Sequence, residues 1–143
     1  MSGVDFVDSN VFIYMFDLVD QDKRDKANRL VQTTLESGNG VISYQVVQET
    51  LNVLTHKMKK PCISSEDASR LLESVLAPMW KVMPSADLFK RALRNKNHYA
   101  LSFYDSLIVA AAQEANCTRL YSEDMQHGQL IGKLRIVNPF VVA

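Results

Sequence analysis

The 143-residue sequence predicts an α/β fold in which a mainly parallel sheet is covered by helices on both faces. Two patterns predict it. Short apolar runs of strand length recur along the chain: "VDFV" (4–7), "GVISY" (40–44), "WKVM" (80–83), "TRLYS" (118–122) and "LRIV" (134–137). Longer stretches with helical spacing separate them. No repeat, linker or low-complexity tract interrupts the alternation, and 47% hydrophobic residues are enough for a full core, so one domain over residues 1–143 is expected.

The helices follow in order. "NVFIYMF" (10–16) reads as a short helix capped by Ser9 or Asn10. "DQDKRDKANRLVQTTLES" (20–37) is amphipathic and is stopped by Gly38, Asn39 and Gly40. "QVVQETLNVLTHKMKK" (45–60) carries Val47, Leu51, Leu54 and Met58 on one stripe, and Pro61 is expected to end it. "SSEDASRLLESVLA" (64–77) is a further helix. "SADLFKRALRNK" (85–96) is expected to turn Leu88, Phe89, Ala92 and Leu93 inward, and "FYDSLIVAAAQEAN" (103–116) is a strong helix.

Composition excludes several functions. Sixteen basic and sixteen acidic side chains cancel, so no global field draws the chain to nucleic acid or a membrane, although a basic groove beside an acidic pocket remains compatible. Cys62 and Cys117 have neither metal nor redox spacing and read as free, partly buried thiols of a reducing compartment. "MSGVDFVD" has no basic segment and no long apolar run, so no signal peptide is expected. No stretch has the length of a bilayer span, and a cytoplasmic protein is expected.

Functional groups of an open parallel sheet gather at the carboxyl ends of its strands. Asp8 ends the first strand and Asp124 follows "TRLYS". Glu49 lies in the first or second turn of the helix after "GVISY", and Asp105 in the first turn of the helix leading into "TRLYS". Each acid also has an ordinary account. Asp8 can cap the next helix, Ser102 and Asp105 make a capping box, Glu49 can be solvated, and Glu123 and Asp124 can be turn residues. Four separate accounts do not predict a shared edge. Carboxylates that meet there repel unless some protonate or a cation joins them. All-oxygen ligation suits Mg²⁺ or Mn²⁺, with Asn10 and Ser122 adding neutral oxygens or holding water. The chemistry such a cluster supports is attack of metal-activated water on a phosphodiester.

"VDSNVFIY", "VVQETLNVL", "FYDSLIVAAA" and "LYSEDMQHG" resemble, in order and over nearly the whole chain, the four acidic motifs of the PIN-domain family. The length resembles its toxin branch, the VapC-type ribonucleases of toxin–antitoxin pairs. The resemblance implies a three-layer α/β/α sandwich and a Mg²⁺- or Mn²⁺-dependent endoribonuclease, with Asp8, Glu49, Asp105 and Asp124 at the metal and Asn10 and Ser122 beside them. It also implies an RNA substrate, a small antitoxin partner that covers the acidic edge, and a homodimer. Val11, Phe12 and Met15 offer apolar surface for docking a partner helix. Glu123 matches no ligand position.

Other residues bear on substrate contact. At helical spacing Glu49, Val53, His56 and Lys60 share a face, so His56 and Lys60 extend the wall of the site toward an RNA backbone, or form a solvated basic helix end. Lys90, Arg91 and Arg94 read as a solvated face before an RNA-contacting one. Phe103 and Tyr104 read as core or dimer contacts before base-stacking platforms. His127 has no partner in sequence and reads as a turn residue. Three rival functions stand beside the nuclease. A phosphatase-like site would use Asp8 as nucleophile, but Asn10 replaces the second acid it needs. A nucleotide-binding fold would need a Gly-rich loop after the first strand. A PIN-like RNA- or protein-binding module would keep the fold without turnover.

Overall fold

A six-stranded sheet of order β3-β2-β1-β4-β6-β5 organises the computed structural model, which describes residues 3–141. β1 (Asp5–Val7) pairs in parallel with β2 (Gly40–Ser43) on one side and β4 (Arg119–Tyr121) on the other. β2 pairs in parallel with β3 (Trp80–Val82), and β4 with β6 (Leu134–Val137). β5 (Leu130–Ile131) pairs antiparallel with β6 at the edge. The expected parallel α/β sheet is therefore present, and β1 and β2 are buried at every residue because helices cover both of their faces.

β5 escapes a reading by apolar runs because it is two residues long. Its signal is the Gly132–Lys133 pair between "LI" and "LRIV", a two-residue hairpin connection. Gly132 sits at φ 62°, a conformation that costs residues with a Cβ.

Asp8, at φ −77° and ψ 160°, caps α1 (Ser9–Tyr14). Asp20 caps α2 (Gln21–Ser37), which ends on left-handed Gly38 as the sequence predicts. Val11 and Phe12 are fully buried against the core, so they offer no surface to a partner helix, contrary to expectation. The exposed apolar residues nearby are Leu18 and Val19, in the loop after α1.

α3 (Tyr44–Leu54) stops well before Pro61. The Thr55 hydroxyl donates to the Leu51 carbonyl at 2.7 Å, and Ile63 N–H donates to the Leu54 carbonyl at 2.7 Å as the chain turns back. Met58 was expected to continue the apolar stripe, but it is 87% exposed among lysines. Continuing the helix would bury nothing, so the chain reverses and returns Ile63 to the core. Cys62, expected to be partly buried, is exposed on this turn, while Cys117 is buried.

α4 (Ser65–Leu71) widens into a π-helical turn, Leu72–Leu76, before α5 (Ala77–Met79). Pro78 lacks an N–H and its ring crowds the carbonyl four residues back, which the wider turn relieves. α6 (Ala86–Tyr99) buries Leu88, Ala92 and Asn95, whose amide donates to Gln113 at 2.9 Å. Phe89 and Leu93, expected inward, lie on its flank at 41% and 51% exposure. α7 (Phe103–Glu114) is buried continuously from Ser106 to Ala112, which explains its apolar composition.

Candidate active site

The order of the strands fixes where the site forms. From β1 the chain steps outward to β2 and β3, then returns to the other side of β1 at β4. The crevice at the carboxyl ends of β1 and β4 is thus the point where the sheet reverses direction, the usual place for a ligand in an open α/β sheet. Asp8 follows β1 there, and Ser122, Glu123 and Asp124 follow β4.

Asp8 is 3% exposed. One carboxylate oxygen accepts from Ser9 N–H at 2.7 Å and the other from the Ser122 hydroxyl at 2.8 Å. Burial nevertheless pushes its pKa up to about 7, against these two bonds and with the help of the Glu49 and Asp124 charges. Its capping role and its place in the cluster coexist: the oxygen that caps α1 does not prevent the other from facing the crevice.

Glu49, half-buried on α3, accepts from the Ser9 hydroxyl at 3.3 Å and from the Gln45 amide at 2.7 Å. The same Gln45 amide donates to the Tyr104 carbonyl at 3.4 Å, which places the first turn of α7 beside the first turn of α3. Asp105 therefore reaches the same edge. Burial, then the Asp124 charge, raises its pKa, while Ser102 lowers it. Its backbone N–H donates to the Ser102 hydroxyl at 3.1 Å, so that half of the capping box forms as well.

Asn10 ties the two strand ends together. Its amide donates to Asp124 at 3.2 Å and to Ser122 at 3.4 Å, and its carbonyl oxygen accepts from Glu123 N–H at 3.3 Å. Asp124 N–H donates to the Ser122 hydroxyl at 3.2 Å. Glu123 turns away from the acids and meets Tyr14 and Lys23. His127 accepts from Asn138 N–H at 2.9 Å, which is the turn role expected of it. His56 and Lys60 do not extend the wall of Glu49, because α3 has ended: His56 Nδ1 accepts from Met58 N–H at 3.2 Å, and both residues are exposed on the turn.

Sequence reasoning missed Ser9, Gln45, Tyr14 and Lys23. Gln45 alone carried a signal, four residues before Glu49 on one helix face. Tyr14 and Lys23 meet an acid only through the fold, as does the Ser9 hydroxyl, which reaches Glu49.

The donor set suits a hard divalent cation. Every donor is oxygen, and among the described residues none of Asp8, Glu49, Asp105 and Asp124 is paired with a basic side chain. Gln45 Oε1 is buried without a donor beside Glu49, leaving a place for water or a substrate hydroxyl. The helices capped by Ser43 and Ser102, α3 and α7, direct their positive ends at the acids and offset part of the repulsion. The acids ring the edge without converging on one point: among the described residues no three metal-ligating side chains stand close enough to hold an ion as they are.

Residues 6–130 match the PIN domain, and the chain belongs to that family. No curated protein matches it. Solved structures share the fold, three of them as follows. The Mycobacterium tuberculosis toxin VapC20, described as Sarcin-Ricin loop cleaving, is 20% identical at a TM-score of 0.61, covering 84% of this chain and 89% of its own. A toxin–antitoxin complex from Klebsiella pneumoniae contributes a chain 20% identical at a TM-score of 0.65, with coverage of 94% of this chain and 97% of its own. FitAB bound to an IR36 DNA fragment contributes one 13% identical at 0.66, with coverage of 98% of each chain.

Proposed function

We propose that this chain is a Mg²⁺- or Mn²⁺-dependent endoribonuclease, the toxin of a toxin–antitoxin pair. The observation that carries this reading is Asp8, a buried acid at the sheet's reversal point, facing Glu49 and Asp124 with, among the described residues, no basic side chain paired with any of the three. Membership of the PIN family supports it, as does the likeness to a toxin described as cleaving the Sarcin-Ricin loop.

Asp8, Asp105 and Asp124, with Glu49, would hold the ion. When bound, it supplies Lewis acidity and lowers the pKa of water for attack on a phosphodiester. The chain's own groups do the rest. Asn10 and Ser122 orient Asp8 and Asp124. Gln45 and Ser9 fix the Glu49 carboxylate at the crevice.

An antitoxin partner is supported by the likeness to a chain of the Klebsiella toxin–antitoxin complex, and in this reading it would cover the acidic edge. A homodimer is supported by apolar surface beside the site. A groove of ≈ 330 Å³ opens between α3, α6 and α7, lined by Tyr44, Gln48, Met83, Phe89, Phe103 and Tyr104. Met83 and Tyr104 are 57% and 69% exposed, and Leu93 extends the apolar flank. Such a cluster of large apolar residues marks an association surface. Among the described residues no helix is long and apolar enough to cross a membrane. The reading puts the protein with RNA in the cytoplasm.

The open arrangement of the acids favours one other reading, a PIN-like module that binds RNA or protein without turnover. Cleavage of total RNA separates the two. The nuclease reading expects Mn²⁺-dependent cleavage that Asp8→Asn abolishes. RNA retained intact at millimolar-order Mn²⁺ or Mg²⁺ sinks it.

A further inference from the structure

We propose that Lys23 is a positioning residue for Asp124, acting through Glu123. The inference rests on the nuclease reading of the acidic edge. Glu123 and Asp124 are adjacent acids after β4, yet they point to different places. Lys23 Nζ lies 2.6 Å from one Glu123 oxygen, and the Tyr14 hydroxyl donates to the other at 2.7 Å. The ammonium also lies 3.2 Å from the Tyr14 hydroxyl, 4.6 Å from the Tyr14 ring centre and 5.6 Å from that of Phe140. Tyr14 and Phe140 pack edge to face at 4.8 Å. Lys23 is thus boxed by two rings and a carboxylate from three separate parts of the chain. The Lys23 and Glu123 side chains are only 31% and 25% exposed, so the pair is better shielded than a surface ion pair.

Two consequences reach Asp124. The first is orientation. Glu123 is held by its side chain on α1 and α2 and by its N–H on Asn10, and the Asn10 amide in turn holds the Asp124 carboxylate. The residue between Ser122 and Asp124 is clamped from both ends, so Asp124 rather than Glu123 turns to Asp8 and Asp105. The second is charge. Lys23 neutralises the one acid of this turn that has no place in the cluster. Without it, a fifth carboxylate would stand next to four mutually repelling ones and compete for the same cation.

The test compares Lys23→Met, Lys23→Arg, Glu123→Gln and the double variant Lys23→Met/Glu123→Gln. Amide hydrogen exchange on the metal-free proteins reads the turn directly, and Mn²⁺ titration calorimetry reads the site. Lys23→Met is expected to lose protection at the Glu123 and Asp124 amides and to bind Mn²⁺ about tenfold more weakly, the usual cost of losing a group that orients a ligand. Lys23→Arg, which keeps the charge, should bind Mn²⁺ several-fold more tightly than Lys23→Met. The double variant should bind better than Lys23→Met alone, because the penalty passes through Glu123. Wild-type exchange in Lys23→Met overturns the proposal. So does loosened exchange with unchanged Mn²⁺ affinity, which would make Lys23 a structural residue only. If Lys23→Met does not fold, Glu123→Gln carries the same two readouts against Lys23→Arg. Should the wild-type protein bind no Mn²⁺, the nuclease reading falls, and the exchange data alone decide whether Lys23 sets the Asp124 turn.

Discussion

The Ser122 hydroxyl donates to the Asp8 carboxylate at 2.8 Å, across 114 residues of chain. The bond joins the carboxyl ends of β1 and β4 and works against the burial that pushes Asp8 up to about 7. The sign of its pH dependence follows. Between 3.8 and about 7 the unfolded chain has lost the Asp8 proton and the folded chain has kept it. The metal-free protein should therefore lose stability as pH rises through that window and level off above it, by an amount on the order of a few kcal/mol. Asp8→Asn should flatten the slope and raise the melting temperature at neutral pH. A melting temperature that rises with pH across the window in wild type, or an equal slope in the variant, would contradict the assignment.

Asp105 invites a charge-only test. Its backbone N–H donates to the Ser102 hydroxyl, so Asp105→Asn leaves that cap bond in place. The charge is disfavoured in the fold by burial and by Asp124. The variant is expected to keep or raise its metal-free melting temperature while losing divalent affinity and cleavage. A variant that cleaves and binds Mn²⁺ as wild type does would remove Asp105 from the site.

At the opposite end of the same strands, Arg119 grips Asp5 with two bonds of 2.7 and 3.0 Å. The Asp5 side chain is 5% exposed, so it has little access to water if the partner goes. Arg119→Met should destabilise the protein by about 3 kcal/mol in urea unfolding, because a buried charge is left unpaired. Asp5→Asn in the same background should recover part of the loss. A cost near zero for Arg119→Met would mean that Asp5 finds water or another donor.

The apolar flank of α6 predicts the oligomeric state. Phe89→Asp and Leu93→Asp, at 41% and 51% exposed positions, should leave the melting temperature nearly unchanged. Sedimentation should show a dimer for wild type and monomers for the variants. A wild-type monomer at all accessible concentrations would leave this surface without a second copy.

The parallel sheet was legible in the sequence because its strands are short apolar runs with helices between them, and a buried strand needs little else. Gly38 as a helix stop and Ser102 as the cap of α7 were legible for the same reason: each depends on chain neighbours alone. The four acids could be assigned to one edge because strand ends and helix starts fix it. The resemblance to the PIN family matched the same four acidic motifs.

What the sequence could not carry was anything decided by partners far along the chain. Met58, Phe89 and Leu93 have the right spacing for burial, yet whether they are covered depends on which neighbour the tertiary fold supplies: Met58 is left almost bare, and Phe89 and Leu93 are covered only in part. Val11 and Phe12 are the converse, apolar residues on a short helix that packs against α2 and α3. Lys23 was read as one of many charges on an amphipathic helix. Only the fold brings it 2.6 Å from Glu123, 100 residues on, because the loop after β4 passes over the start of α2. Helical spacing records which side chains share a face. Which face meets a carboxylate, a ring or water is set by packing at long range, and that belongs to the tertiary structure.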